Sequence, residues 1–268
     1  MPELPEVQTV ADSVKGIIGN KIANFVSIWN NSCKNIDPTN FDRAVCNQKI
    51  IDVYRRWKFI VIKIESLHIL CHLRMTGKLY IGDSSKLDKE HLSSYFKLDN
   101  GTYLIYNDIR KFGGFYLYKN LSELSDSYGM DPYDTDFTST WLFERLNSSK
   151  RMIKAFLFDQ SILAGLGNIY IDEVLWESKI DPRTHTNLVD KSKANVLHKA
   201  ILKTLNNSIK HHGTTIDNFS FDLFKTGSYK NQLKVYMRDN KTCKRCLCII
   251  TKIRVAGRGT YICNKCQK

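Results

Sequence analysis

The chain has 268 residues, of which 43% are hydrophobic, and it carries a formal net charge of +13. This length suits one large domain or two ordinary ones, and the basic excess predicts an acidic partner, either nucleic acid or an anionic membrane surface. No segment approaches the roughly 20 apolar residues that span a bilayer, and no basic-then-apolar export signal opens the chain, so we expect a cytoplasmic protein.

The chain opens with the sequence Met-Pro-Glu-Leu-Pro-Glu-Val. If Met1 is removed, Pro2 becomes the terminal residue and carries a secondary amine, which can attack an electrophilic carbon and form an iminium intermediate. Glu3 lies beside this amine as a candidate proton donor or acceptor. The alternative for this stretch is a proline-stiffened arm without chemistry.

Helical and then β-type patterns follow the N-terminus. Apolar residues at helical spacing predict a first helix over Val7–Lys15, with Pro5 turning the chain before it. From about residue 21 to residue 118, short β-type runs separated by polar or glycine-containing turns are typical of a β-sandwich or barrel. These runs are Ile50–Tyr54, Phe59–Ile64, Leu67–Leu73, Lys78–Ile81, Tyr95–Leu98, Thr102–Tyr106 and Phe115–Tyr118.

The second half of the chain has a different character. A polar connector, Leu121–Phe137, leads into runs with helical spacing, and a segment without periodicity, His212–Lys230, follows the last of them. The helical runs are Thr138–Leu146, Ile153–Phe158, Ile169–Glu177 and Lys191–His212. We therefore expect a helical region between the β-rich half and a cysteine-rich end.

The C-terminal cysteines have the spacing of a metal site. Cys243 and Cys246 form one Cys-x2-Cys pair and Cys263 and Cys266 form a second, with 16 residues between the pairs. Two such pairs are the pattern of a closed, four-thiolate zinc site. Cys248 is out of register with both pairs. The stretch between them predicts a hairpin with Arg258 at its tip, either as a phosphate contact or as a solvated arginine.

Three further stretches combine residue types that suit nucleic acid. Arg110 and Phe112 lie two residues apart in a strand-end loop, where arginine can read base edges and an aromatic ring can wedge between bases. The alternative is that Phe112 lies in a core and Arg110 is solvated. Met75 is likewise either an exposed wedge or a core side chain. Two glycines precede Asn168, which we expect to be a helix N-cap near an anion or in an ordinary corner. Arg55–Lys58 is a basic-aromatic cluster that suits phosphate or a solvated strand edge.

The N-terminal heptapeptide, Arg110–Gly113, Gly165–Tyr170 and the cysteine module, in this order, resemble the formamidopyrimidine-DNA glycosylase family over the whole chain. The resemblance implies an α+β fold: an N-terminal β-sandwich with an N-terminal helix, then a helical domain with a helix–two-turn–helix and a four-cysteine zinc hairpin. The implied bounds are 1–120 for the catalytic sandwich, 121–137 for a linker, 138–230 for the DNA-binding helical domain and 231–268 for the zinc hairpin.

The resemblance also implies an activity. The protein would be a bifunctional DNA glycosylase and AP lyase that excises oxidised purines (8-oxoguanine and formamidopyrimidines) through a Schiff base on the N-terminal proline, followed by β,δ-elimination. Its partner would be double-stranded DNA containing oxidised bases or abasic sites. Its cofactor would be one structural Zn²⁺ ion, and it would act as a monomer in the bacterial cytosol or nucleoid, without a membrane.

Residue roles follow from matching positions. Pro2 is similar to the nucleophile that attacks the anomeric sugar carbon, Glu3 to the residue that protonates the sugar ring oxygen, and Lys58 to a catalytic-site lysine that grips phosphate. The resemblance gives DNA contacts to His72, Met75, Arg110, Phe112, Lys154, Asn168 and Arg258, with Met75, Arg110 and Phe112 as an insertion set. It gives the zinc to Cys243, Cys246, Cys263 and Cys266, and loop 219–230 is similar to a segment that closes over the everted purine.

Two departures from the family pattern stand out: Trp57 replaces a usually small residue before the lysine, and Cys248 occupies a common glycine position.

Three alternatives for the function stay open. The first is an endonuclease VIII-like glycosylase for oxidised pyrimidines, which shares this architecture. The second is a non-catalytic zinc-finger DNA-binding protein. The third is an amino-terminal-proline isomerase acting on small keto acids, against which the basic charge and the zinc hairpin speak.

Overall fold

The computed structural model describes residues 1–87, 90–124, 127–214 and 227–268. The chain folds into two compact units: Met1–Ser125 with His211–Ser228, and Asp126–Lys210 with Tyr229–Lys268. Among the described residues, no helix is both long and apolar enough to cross a membrane. Loop 219–230, expected to close over a purine, lies outside the described residues from 219 to 226.

The first helix, α1, spans Leu4–Ser13 and so begins before the predicted Val7. Pro5 lies inside its first turn, where the missing backbone N–H has no helical partner in any case. The prediction that Pro5 turns the chain ahead of the helix was therefore wrong. Glu6 Oε2 accepts a hydrogen bond from Glu3 N at 2.9 Å, which satisfies a donor at the helix start.

Two antiparallel four-stranded sheets make up the first unit, with strand orders β1-β6-β7-β5 and β2-β3-β4-β8. The strands are β1 (Ile22–Ser27), β2 (Ile50–Arg56), β3 (Phe59–Ile64), β4 (His68–His72), β5 (Gly77–Gly82), β6 (Leu92–Leu98), β7 (Tyr103–Asp108) and β8 (Gly114–Tyr118). All seven predicted strands are confirmed, with ends that differ by up to three residues. Two elements were not predicted: β1 and a short helix, α2, over Pro38–Val45.

The core of this unit is aliphatic with an aromatic centre. Phe25, Phe41, Phe96 and Phe115 are buried and touch one another, with ring centroids 4.6 Å apart for Phe25 and Phe41 and 5.1 Å apart for Phe96 and Phe115. Tilted and edge-on ring pairs of this kind add to the stabilisation from burial. Val10 of α1 belongs to the same core, so the N-terminal helix is packed onto the sandwich.

The second unit contains the remaining helices: α3 (Ser139–Asn147), α4 (Ile153–Phe158), α5 (Asn168–Glu177) and α6 (Lys191–Lys210). The four predicted helices are confirmed, α4 with identical bounds. Every residue of α5 from Ile169 to Trp176 is buried, as in a helix that forms the centre of its unit. The helix starts at Asn168 with Gly167 as N-cap, so the predicted N-cap role of Asn168 was wrong.

A two-stranded hairpin, β9 (Thr251–Val255) and β10 (Arg258–Ile262), ends the chain. Its two-residue turn has positive φ angles of 48° at Ala256 and 77° at Gly257, the combination required by the tight turns that suit twisted hairpins. The hairpin was predicted from the alternation between the cysteine pairs. Arg258 lies immediately after the turn, paired with Val255, and is exposed.

Candidate active site and metal centre

The N-terminal residues are held rigidly on the first unit. Pro2 is buried, and Glu3 and Glu6 are only 4% and 2% exposed, whereas Met1 is 50% exposed. Glu6 bridges two backbones: one carboxylate oxygen accepts from Glu3 N at 2.9 Å and the other from Thr214 N at 2.6 Å. The start of α1 is therefore fixed by bonds that begin after Pro2, and removing Met1 does not break them.

Gly213 makes this arrangement possible. Its φ of 78° lies in the left-handed region that favours glycine. A Cβ at this position would lie 2.8 Å from Glu6 Oε1, closer than real Cβ contacts. Gly213 therefore lets the chain approach the Glu6 carboxylate.

Lys58 occupies the two-residue turn that joins β2 and β3, because Arg56 pairs with Phe59. Trp57 precedes it with φ 53°, a conformation that favours glycine, although the Trp57 ring is buried and the Arg56 guanidinium lies over it at 4.9 Å from the ring centroid. Arg55 Nη1 donates to Trp57 O at 3.1 Å. These contacts fix the turn that carries Lys58.

The Lys58 side chain is a buried amine, 4% exposed. Burial lowers the pKa of its ammonium to about 8, because charge is poorly solvated there, while the Glu3 and Glu6 carboxylates pull the pKa upward. The structure thus couples Lys58 electrostatically to Glu3. The group can hold or release a proton near neutral pH, a property that suits acid–base chemistry or binding of an anion.

His72 lies beside the Lys58 turn, since it pairs with Phe59 and the two rings meet edge-on with centroids 4.8 Å apart. Its Nδ1 accepts from Arg74 N at 2.9 Å, so the proton of the neutral ring is on Nε2. Burial, then the charges of Arg74 and Lys58, lower the pKa of His72 to about 3. His72 is therefore a neutral hydrogen-bond donor at physiological pH.

The structure brings Met75, Arg110 and Phe112 together on the surface of the first unit. Met75 is 48% exposed and Phe112 is 56% exposed, which rules out the alternative that they are core residues. The Arg110 guanidinium lies over the Phe112 ring at 4.8 Å from its centroid, and Arg110 Nη1 donates to Met75 Sδ at 2.8 Å. Two apolar side chains and one cation thus form a single exposed projection.

In the second unit, the side chains of Lys154 and Asn168 both bind the C-terminal hairpin. Lys154 Nζ and Asn168 Nδ2 both donate to Gly259 O, at 3.2 Å and 3.0 Å. Lys154 is fully buried and its ammonium lies 2.6 Å from Asp172 Oδ1, while Asp172 Oδ2 accepts from Tyr261 N at 2.9 Å. Lys154 therefore holds the hairpin from within the unit and is itself out of reach of solvent.

Arg258 directly precedes Gly259, whose carbonyl oxygen accepts the bonds from Lys154 and Asn168. Its guanidinium lies 3.7 Å from the centroid of the Phe158 ring at the end of α4. Stacking on an aromatic ring limits the side chain's freedom without neutralising its charge. An exposed, oriented guanidinium on a fixed hairpin is well suited to contact phosphate.

The four predicted cysteine ligands lie together. The Sγ atoms of Cys243, Cys246, Cys263 and Cys266 all lie within 4.8 Å of one another, with Cys243 and Cys266 3.8 Å apart and Cys246 and Cys263 3.4 Å apart. Zinc–thiolate bonds of about 2.3 Å in a tetrahedron place sulfur atoms about 3.8 Å apart, so the donor set fits zinc. Cys248 is outside this cluster.

Hydrogen-bond donors surround the Cys243 sulfur. Burial opposes its ionisation, but N–H groups of Arg245, Cys246 and Trp176 outweigh burial and lower the pKa of the thiol to about 6. Trp176 Nε1 donates to Sγ at 3.4 Å. A thiolate is the form that ligates zinc, so these donors favour the metal-binding form of Cys243.

Three buried carboxylates that the sequence interpretation passed over hold these sites in place: Asp108, Asp172 and Glu173. Glu173 accepts from the backbone N–H groups of Lys234, Val235 and Tyr236 at 2.8–3.0 Å. Burial raises its pKa, and those N–H groups oppose the change. The sequence does contain one signal for two of them: Asp172 and Glu173 are adjacent in an otherwise apolar helix. Buried charges need bonding partners, so this pair indicates that other groups bind there.

Three family models match consecutive parts of the chain. Residues 1–115 match the formamidopyrimidine-DNA glycosylase N-terminal domain, and residues 128–220 match the formamidopyrimidine-DNA glycosylase H2TH domain. Residues 240–268 match the zinc finger found in FPG and IleRS. The sandwich, the helical unit and the four-cysteine hairpin thus define the class of DNA glycosylases that combine a helix–two-turn–helix with a zinc finger.

Relatives extend the match to full length. Formamidopyrimidine-DNA glycosylases of Mycoplasma genitalium and Bacillus subtilis are 37% and 36% identical, each aligned with 100% of this chain and with 96% and 99% of their own lengths. The chain belongs to the formamidopyrimidine-DNA glycosylase family. Among solved structures, the Lactococcus lactis Fpg in complex with DNA containing an abasic site has a TM-score of 0.91 at 34% identity, covering 99% of both chains. MutM in complex with DNA containing carbocyclic 8-oxo-G has a TM-score of 0.91 at 34% identity over 100% of both.

Proposed function

We propose that this protein is a bifunctional DNA glycosylase and AP lyase that removes oxidised purines, 8-oxoguanine and formamidopyrimidines, from double-stranded DNA. The observation that carries the proposal is the anchored terminus: Pro2 is buried at the start of α1, beside Glu3, whose carboxylate is coupled to the buried amine of Lys58. Full-length similarity to proteins named formamidopyrimidine-DNA glycosylase supports the glycosylase part of the proposal.

The proposed reaction requires loss of Met1, which leaves Pro2 with a secondary amine. The nitrogen lone pair attacks C1′ of the damaged nucleotide, and the bond from C1′ to the base breaks with its electrons leaving on the base. The departing base takes up the proton of the amine, Glu3 protonates the sugar ring oxygen, the ring opens, and an iminium joins Pro2 to the sugar. Loss of a C2′ proton then expels the 3′ phosphate, and a second elimination expels the 5′ phosphate.

The other matched residues are proposed to bind the substrate. A base inside a duplex is out of reach of the amine, so the nucleotide must be flipped out at a cost of a few kcal/mol. Lys58, His72, Asn168 and Arg258 would hold phosphates around it. Neutral His72 would donate from Nε2, which keeps this contact independent of pH above its pKa of about 3. Lys154 would act indirectly, by fixing the hairpin.

The proposed division of labour assigns catalysis to residues 1–120 and a linker to 121–137. DNA binding falls to 138–230, with a loop over the flipped base, and zinc-dependent support to 231–268. One zinc ion on the four thiolates would stabilise the hairpin that carries Arg258 and take no part in the chemistry. The net charge of +13 supports affinity for DNA of any sequence. We propose that the protein acts as a monomer in the bacterial cytosol.

Borohydride trapping tests the proposal. Incubating the protein with a duplex containing 8-oxoguanine opposite cytosine, together with borohydride, should reduce the iminium and give a covalent adduct whose peptide map places DNA on Pro2. A variant with one extra residue before Pro2 should give no adduct, because its proline nitrogen is an amide. Intact mass establishes whether Met1 is absent.

Two outcomes overturn the proposal. Absence of an adduct with any lesion duplex, despite tight DNA binding, would favour a non-catalytic DNA-binding protein. Strong preference for a thymine-glycol duplex over the 8-oxoguanine duplex would favour the endonuclease VIII-like alternative.

A further inference from the structure

Asp108 is a buried carboxylate for which the proposed chemistry has no use. It ends β7 and is 1% exposed. One of its oxygens accepts from Gly113 N at 2.8 Å and from the Tyr106 hydroxyl at 3.4 Å. The other accepts from Thr76 Oγ1 at 2.5 Å and from Arg110 N at 3.2 Å. A buried charge is tolerated only when it is bonded in this way, so these groups and Asp108 depend on one another.

These hydrogen bonds join two loops. The turn between β4 and β5 contains Met75 and Thr76, and the loop between β7 and β8 contains Arg110 and Phe112. Thr76 Oγ1 links them twice, since it donates to Asp108 and accepts from Arg110 N at 3.1 Å. The exposed cluster of Met75, Arg110 and Phe112 therefore rests on a buried polar network directly beneath it.

Both loops hold a conformation that their sequences do not favour by themselves. Arg74 has φ 50° and Lys111 has φ 58°, in the left-handed region that residues with a Cβ seldom adopt. A Cβ at Gly77 or Gly113 would lie 2.5 Å or 2.0 Å from the Tyr106 hydroxyl oxygen. Such a conformation persists when the surroundings determine it, and here the surroundings are Asp108 and its partners.

We propose that Asp108 and Thr76 are positioning residues that fix the Met75–Arg110–Phe112 cluster in one orientation and thereby set how strictly the protein discriminates the base opposite the lesion. The inference rests on the proposed function and deepens it: the insertion set of Met75, Arg110 and Phe112 would fill the place of the flipped nucleotide, with Arg110 facing that base. Arginine reads a base edge only with the right geometry. A cluster ordered before binding does not lose side-chain entropy when it enters the DNA stack.

Substitutions at Thr76 test the network with little change in volume. Thr76→Val removes the hydroxyl that donates to Asp108 and accepts from Arg110 N, whereas Thr76→Ser keeps it. Thr102→Val is a matched control, because it removes a hydroxyl that bonds to Asn100 in the exposed turn at the other end of β7. Asp108→Asn is a second variant, since an amide N–H₂ must then face an existing donor.

The readout is binding, so that it does not depend on catalysis. Duplexes with a stable tetrahydrofuran abasic analogue opposite cytosine or adenine are titrated by fluorescence anisotropy, and the ratio of the two Kd values is compared. We expect the ratio of the two Kd values to move about tenfold closer to one in Thr76→Val and in Asp108→Asn. A change of about tenfold corresponds to the loss of one well-placed contact to a base. Thr76→Ser and Thr102→Val should keep the wild-type ratio.

The outcomes separate this inference from the proposed function. A folded Thr76→Val protein that loses affinity equally for both duplexes, or that keeps the wild-type ratio, overturns the positioning role. A wild-type ratio of one also overturns it. Absence of a borohydride adduct would overturn the proposed catalysis. It would not affect the test of the positioning role, because the ratio of the two Kd values is measured without catalysis.

Discussion

Lys58 combines deep burial with a titration range close to neutral pH. Removal from water disfavours its charged form, and the carboxylates of Glu3 and Glu6 recover only part of that loss, which is why its pKa falls from 10.5 to about 8. An exposed lysine would be fully charged at neutral pH and could serve only as a cation. A lysine near its pKa can also take part in proton transfer, in addition to the phosphate binding proposed for Lys58.

This shift predicts a pH dependence of stability. The unfolded chain keeps the Lys58 proton up to pH 10.5, whereas the folded chain releases it near pH 8, so the unfolded state binds more protons between these values. Stability therefore rises with pH in that window. Relative to Lys58→Met, the free energy of unfolding of the wild type should increase by about 1.5 kcal/mol between about pH 8 and about pH 9.5 in urea titrations.

Taking the difference from Lys58→Met cancels the titration of the other groups. Lys63→Met, which removes an exposed lysine from the adjoining strand β3, controls for the loss of a positive charge. If the difference between wild type and Lys58→Met stays constant with pH, the Lys58 pKa is not depressed in the folded protein.

Among the elements of the second unit, helix α5 holds the zinc module in place. Three side chains on it reach the zinc module: Asp172 holds β10, Glu173 holds the backbone of residues 234–236, and Trp176 donates to the Cys243 sulfur. The Arg245 guanidinium also lies 3.9 Å from the Trp176 ring centroid. The module that carries Arg258 is therefore fixed by directional bonds as well as by apolar packing.

The buried pair of Lys154 and Asp172 yields a second prediction. Lys154→Met should lower the stability of this unit by about 3 kcal/mol, because it leaves a buried carboxylate without its cation. Adding Asp172→Asn should recover most of the loss, since an amide oxygen still accepts from Tyr261 N and no charge remains. Melting temperatures of the two single variants and the double variant measure the coupling.

The exposed Lys199 on α6 offers a control, Lys199→Met, that removes a lysine without touching the pair. Additive effects of Lys154→Met and Asp172→Asn would show that the two side chains do not stabilise each other.

Local patterns located most elements of the fold. A short β-type run predicted β3 and helical spacing predicted α4 with the observed bounds. Strand β1 was missed because Ala23 and Asn24 interrupt its apolar pattern at a register irregularity. Helix α2 was missed because only Phe41 and Val45 mark its buried face, although Asp37 caps it and Pro38 begins it.

The candidate site was predictable where its chemistry is local in sequence. The spacing of the cysteines is sufficient to predict their cluster. The partners of the supporting carboxylates were not predictable, because Asp172 meets Lys154 across 18 residues and Asp108 meets Thr76 across 32 residues. Such pairings depend on tertiary structure, and a single sequence contains no signal for them.

For the molecule as a whole, the positive charge and the zinc module address different requirements of DNA binding. A charge of +13 provides attraction to phosphate that does not depend on sequence and weakens steeply with salt. It does not orient the protein on the duplex. Orientation requires fixed donors, the role that we propose for Arg258. The hairpin that carries Arg258 is part of a module of fewer than 40 residues, too small to be stable on its own apolar core.

Zinc should therefore be needed for DNA binding and not for the folding of the sandwich unit. Cys243→Ser removes one of four thiolates and the sulfur that accepts from Trp176, so zinc content should fall to near zero and DNA affinity by about tenfold. Cys248→Ser is the matched control, because Cys248 lies in the same module outside the four-sulfur cluster and should keep its zinc. Metal analysis, anisotropy titration and limited proteolysis of the full chain give the three readouts. Unchanged DNA affinity after zinc loss would contradict the role of the hairpin in DNA binding. Loss of zinc from Cys248→Ser would contradict the assignment of the four ligands. Proteolysis of residues 1–120 in Cys243→Ser would show that the fold of this region depends on the metal.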